Sequence, residues 1–156
     1  MPRRSLSFCL APDTASASLA RERVHEWLAE LGWSPDESHD LVYAVSEIVT
    51  NAAEHAFVEA VGDRRDPPSI WVDCLVGSHD RRVRGPGKVD EVRVRVSDNG
   101  RWKPVAASGF RGHGLALAKA FVDGFAIATG DRGTTVDLVS RARTTTIRRP
   151  NPRRDR

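Results

Sequence analysis

The sequence predicts an α+β protein: a two-layer sandwich with helices on one face of a mixed, mainly antiparallel sheet. Two segments of helical periodicity follow one another behind a single opening strand, the later strands come in neighbouring pairs, and no internal repeat breaks the order. A length of 156 residues, 40% of them hydrophobic, suits one domain with a sizeable core.

Each element has its own signal. Residues 5–10 alternate as a strand does, with Leu6, Phe8 and Leu10 on one face. Residues 13–31 carry Ala20, Val24, Trp27, Leu28 and Leu31 at helical spacing and stop at Gly32. Ser34-Pro35-Asp36-Glu37 is a capping box with proline at the first helical position, and it launches a long helix whose apolar stripe is Leu41, Val45, Ile48 and Ala52. Residues 69–76 and 89–97 read as two strands joined by a long loop that carries no assignable chemistry. A helix over 115–122 precedes a last hairpin, 124–129 with 134–140.

Charge divides the chain into two parts. The net charge is +3, yet residues 141–156 hold seven arginines against Asp155, so the first 140 residues are slightly acidic. The expected organisation is a domain over 1–140 and a basic tail over 141–156, read as disordered around Pro150 and Pro152. A second basic cluster, Arg81-Arg82-Val83-Arg84, adjoins Gly85-Pro86-Gly87 and reads as a polar loop; without an aromatic platform or groove-reading helix it argues against nucleic acid. No apolar run reaches the roughly 18 residues of a membrane span. The opening Met-Pro-Arg-Arg lacks the apolar stretch of a signal peptide, so the expected location is the cytoplasm. Cys9 and Cys74 lack metal-site spacing and are expected to be buried free thiols.

The chemistry starts on the long helix. Successive residues advance by about 100°, so Glu47, Asn51 and Glu54 form a polar stripe beside the apolar one. A carboxylate there can orient or deprotonate a nucleophile, and a carboxamide oxygen can complete the oxygen-only shell of Mg²⁺. Taken alone, the same stripe is also what a solvated helix face looks like. Three segments follow. Residues 93–100 form an alternating strand ending in Asp98 and Gly100; 109–114, Gly-Phe-Arg-Gly-His-Gly, open the next helix, whose first free N–H groups attract phosphate; 130–136 are a turn with Thr134 and Thr135 at its lip. Each is a common turn by itself, and only their order is specific.

That order resembles the Bergerat ATP-binding fold of gyrase, the ninety-kilodalton heat-shock chaperone, sensor histidine kinases and the mismatch-repair ATPases. More narrowly it resembles the stand-alone anti-sigma-factor serine/threonine kinases. Glu47, Asn51 and His55 match the first box; Asp98 and Gly100 the second; Gly112, Gly114 and Leu115 the third; Gly133, Thr134 and Thr135 the fourth, over residues 6–139. The resemblance implies ATP and Mg²⁺ as cofactors, Asn51 as metal ligand and Glu47 as the catalytic group acting on the attacking hydroxyl. It implies that Asp98 takes the adenine amino group, that Gly100 lets the base lie close, that Gly112 and Gly114 turn amides near Leu115 toward the phosphates, and that Thr134 or Thr135 closes the adenine end. His55 is either packed or a second layer behind these groups.

Its implied partners are a sigma factor and an anti-anti-sigma protein, and a homodimer through the first helix is one use for Trp27 and Trp33, a core role being the other. Two departures from the family pattern stand out: a short lid between Pro104 and Gly112, which favours a nucleotide-dependent binding module over a kinase, and Trp102 just past the second box, which either walls the pocket or simply packs. Glu47 favours the kinase.

Overall fold

The computed structural model describes residues 3–57, 66–79, 88–101 and 113–145. Its elements run β1 (Ser5–Leu10), α1 (Ser16–Glu30), α2 (Pro35–His55), β2 (Ile70–His79), β3 (Lys88–Asp98), α3 (His113–Ala120), β4 (Gly124–Gly130), β5 (Gly133–Val139) and β6 (Arg143–Thr145). The sheet order is β1-β2-β3-β5-β4, with β6 also on β3. Every pairing among the described residues is antiparallel.

The helix boundaries follow from side chains that satisfy end groups. Ser34 Oγ accepts the Glu37 N–H at 3.3 Å while the Glu37 carboxylate accepts the Ser34 N–H at 2.7 Å, completing the predicted capping box. Residues 13–15, expected within α1, lie before it, because Asp13 Oδ1 accepts the Ala15 N–H at 2.8 Å and holds a turn there. At the far end Gly32 takes φ 80, and the Gly32 and Trp33 N–H groups donate to the Ala29 and Leu28 carbonyls. Glycine reaches that left-handed conformation without steric cost, which closes the helix.

Period-two alternation sends Val72, Cys74, Val92, Val94, Val96, Val136 and Leu138 inward, where they meet Val24, Leu28, Leu41, Val45, Ile48 and Val49 of the helices. Each such side chain contributes about 1.5–3 kcal/mol on full burial, so this layer holds sheet and helices together. Trp27 and Trp33 belong to it at 4% and 7% exposure, and the Trp27 indole N–H donates to the Arg3 carbonyl at 2.8 Å. The core, not an interface, is where both tryptophans lie.

Two expectations are corrected. Cys74 is buried, and burial first, then the nearby Asp73 charge, pushes its thiol up to about 12. Cys9 is exposed: its neighbours Phe8 and Leu10 turn toward the helices, which aims Cys9 outward. The stretch read as a disordered tail also contributes a strand. Arg143–Thr145 pairs with residues 88–90 of β3, and residues 146–156 lie outside the described residues. Ser140 makes the transition from β5 to β6: its hydroxyl accepts the Val92 N–H at 2.8 Å, and its own N–H donates to the Val92 carbonyl at 2.8 Å. Among the described residues, no helix is long and apolar enough to cross a membrane.

Candidate functional site

The second half of α2 presents Glu47 and Asn51, both half-buried, from a helix whose opposite face is locked into the core. α3 packs beside it. A Cβ added to Gly114, in the first turn of α3, would overlap Glu47 Oε2 and lie 3.2 Å from its Cδ. Glycine is therefore what lets the α3 N-terminus close on the Glu47 carboxylate, and the favourable dipole at that terminus faces an anion. The Asn51 carboxamide forms no hydrogen bond within the described residues, so its oxygen is available to a ligand. His55, one turn further, is partly exposed, with Nε2 3.7 Å from the Glu54 carboxylate.

The end of β3 supplies three residues with three different tasks. Asp98 is 8% exposed and turns to the helix side of the sheet with Val92, Val94 and Val96; its Oδ1 accepts the Gly100 N–H at 2.9 Å. Asn99 fastens the turn: its side chain accepts the Ser69 N–H at 2.8 Å and donates to the Pro67 carbonyl at 2.9 Å. The sequence reading gave Asn99 no role, although an Asn within a turn is a known local binder of backbone. Gly100 packs against the end of α2, where a Cβ would come within 2.6 Å of the Ala56 carbonyl carbon, and the next residue, Arg101, donates its N–H to the Ala56 oxygen at 2.7 Å. Glycine is needed there for chain packing, whatever the space it also leaves for a ligand.

Across the ladder, Asp98 pairs with Thr134. Thr134 is 4% exposed, faces the helices as Asp98 does, and its hydroxyl is buried without a hydrogen-bond partner among the described residues. A buried hydroxyl left unmatched costs about 1–3 kcal/mol. Thr135 pairs with Ser97 and points to the other side of the sheet, so the two threonines have opposite surroundings and Thr134 alone shares the Asp98 side. Gly133 makes the approach feasible: its φ is 138, and a Cβ would overlap the Asp98 carbonyl oxygen.

Glu47, Asn51, Asp98, Gly114 and Thr134 thus rise from α2, α3 and the adjoining ends of β3 and β5 on one side of the sheet, with Leu115 half-buried behind Gly114. Gly112, Trp102 and the segment from Pro104 lie outside the described residues. The donor set fits a nucleotide and a hard cation: a buried carboxylate and an unmatched hydroxyl for a base, and a carboxamide oxygen for a metal that takes oxygen ligands.

The site lies at one end of an antiparallel sheet, beneath the helix α2 that carries the Glu-x-x-x-Asn stripe. The chain belongs to the histidine kinase-like ATPase domain family, which it matches over residues 10–140. It is similar to the crystal structure of the RsbU and RsbW domains of Rv1364c from Mycobacterium tuberculosis, with 30% identity and a TM-score of 0.63 over 91% of this chain. The chain spans 34% of that structure's length. A likeness to the histidine kinase domain of the Erythrobacter litoralis EL346 blue-light activated histidine kinase has 21% identity and a TM-score of 0.40, over 67% of this chain and 44% of the other.

Proposed function

We propose that this protein binds ATP with Mg²⁺ and works as an anti-sigma factor that phosphorylates a serine or threonine of an anti-anti-sigma protein, controlling transcription by partner switching. The observation that carries nucleotide binding is the unmatched Thr134 hydroxyl opposite buried Asp98. The partner class is supported by the 30% identity to a structure containing an RsbW domain.

In this reading ATP and Mg²⁺ supply the transferable phosphoryl group and neutralise its charge, so the protein has mainly to position groups. Asp98 accepts a hydrogen bond from the adenine amino group, and the Thr134 hydroxyl gains the partner it lacks among the described residues. Asn51 offers its carboxamide oxygen to the cation. The free N–H groups of the first turn of α3 attract the phosphate oxygens, beside the Glu47 carboxylate that Gly114 admits. Glu47 takes the proton of the acceptor hydroxyl as that oxygen attacks.

Calorimetry with ATP, with and without Mg²⁺, tests the first half: Asn51→Ala is expected to abolish the Mg²⁺-dependent part of the affinity, and an unchanged isotherm refutes the metal role. Labelled ATP with a cognate antagonist tests the second. Glu47→Ala should bind ATP as the parent does and transfer no label, and retained transfer removes Glu47 from the reaction. A parent protein that binds nucleotide and captures its partner without ever labelling it would be a binding module instead.

A further inference from the structure

One residue on the polar edge of α2 has no part in the site so far. Tyr43 precedes Glu47 by four residues, which places both side chains on the same face one turn apart. Both line a cleft of about 670 Å³ between α1 and α2. The phenol thus stands beside the Glu47 carboxylate, and since an ionised carboxylate only accepts, the tyrosine O–H is the donor of any bond between them. The Tyr43 ring is in turn held edge-on by Phe121, with centroids 5.2 Å apart and an interplanar angle of 79°. Phe121 directly follows α3, whose first turn, at Gly114, lies against the same carboxylate. α3 therefore touches the Tyr43–Glu47 pair at both of its ends.

We propose that Tyr43 is the positioning residue of Glu47: its hydroxyl and Phe121-braced ring hold the carboxylate at the first turn of α3, in the orientation from which it takes the acceptor proton. The inference rests on the proton-accepting role given to Glu47 above. An unbraced glutamate on a helix surface samples several staggered rotamers. The hydroxyl bond selects among them, and the ring contact fixes the hydroxyl. Partial burial, then the nearby charge of Glu47, raises the phenol above its ordinary value of 10.0, so it remains a donor at neutral pH.

Tyr43 is the only tyrosine of the chain, so tyrosinate absorbance reports on it alone. Titrating the full chain should give an ionisation midpoint that falls when Glu47 is replaced in Glu47→Gln; an unmoved midpoint overturns the contact and the proposal with it. Tyr43→Phe keeps the ring and removes only the donor. It should lower kcat for transfer to an anti-anti-sigma protein about 10-fold, a fraction of the roughly 10²–10⁴ that a general base contributes. KM for ATP and for the acceptor should stay within about twofold, and unfolding should be unchanged, which a merely structural role would not produce. A kcat equal to that of the parent overturns the proposal. The titration separates this failure from failure of the reading beneath it: a midpoint that falls in Glu47→Gln, in a protein that transfers no phosphate, keeps Tyr43 on the carboxylate and refutes the proton-accepting role.

Discussion

β3 and β5 carry two polar pairs, three residues apart on the same ladder, and the two are handled in opposite ways. On the outer face Arg95 lies opposite Asp137, and its guanidinium meets both carboxylate oxygens, at 2.7 and 3.1 Å. On the helix side Asp98 lies opposite Thr134, and the threonine hydroxyl meets nothing described. The exposed pair is fully matched where water would have served, and the buried pair is left short where water is excluded. Folding stability alone would favour the reverse. Among the described residues the Thr134 hydroxyl is thus the buried polar atom that the proposed nucleotide would satisfy.

Three substitutions break or sharpen that contrast. The largest effect is expected from Gly133→Ala, which forces a left-handed conformation on a side chain and drives its Cβ into the Asp98 carbonyl. Urea unfolding should register a loss of about 2–4 kcal/mol. Thr134→Val comes next and should move two quantities in opposite directions. Replacing the unmatched hydroxyl by a methyl should stabilise the ligand-free protein by about 1 kcal/mol, while nucleotide affinity by calorimetry falls by roughly 5–10-fold. If stability drops instead, the hydroxyl already has a partner and the contrast between the two pairs disappears. Arg95→Ala should do least. Arg95 and Asp137 are 60% and 45% exposed, so the cost is at most about 1 kcal/mol, and nucleotide affinity should be untouched.

The same two pairs mark how far the sequence could be read. Alternation in 93–100 and 134–140 was enough to place strands and their buried faces, and the capping box at Ser34 fixed the start of the helix that carries Glu47 and Asn51. Glu47, Asn51, Asp98, Gly114 and Thr134 were all legible as polar or glycine positions, because residue spacing on a helix and turn chemistry on strands are local properties. The choice between Thr134 and Thr135 was not made, although period-two geometry allowed it once the buried face of β5 was known. Gly100 was assigned to the ligand because its contact with Ala56 spans 44 positions and has no local signature. Likewise β6 has no local signal: three residues in an arginine-rich stretch become a strand only because β3 presents a free edge there. Tyr43 looked like one more residue of an amphipathic helix, since its meaning depends on Phe121 from another element.

The placement of β3 has a consequence for motion. β2 runs along one edge of it, while β5, Ser140 and β6 share the other, so both sides of the strand are engaged at most positions from Lys88 to Asp98. Its amide protons can swap with deuterium only when several neighbours detach together, whereas those of β1 and β4, at the margins of the sheet, need just one ladder to open. Asp98 is thus anchored to a strand whose amides should exchange more slowly than those of β1 and β4, in a hydrogen-exchange comparison of the three.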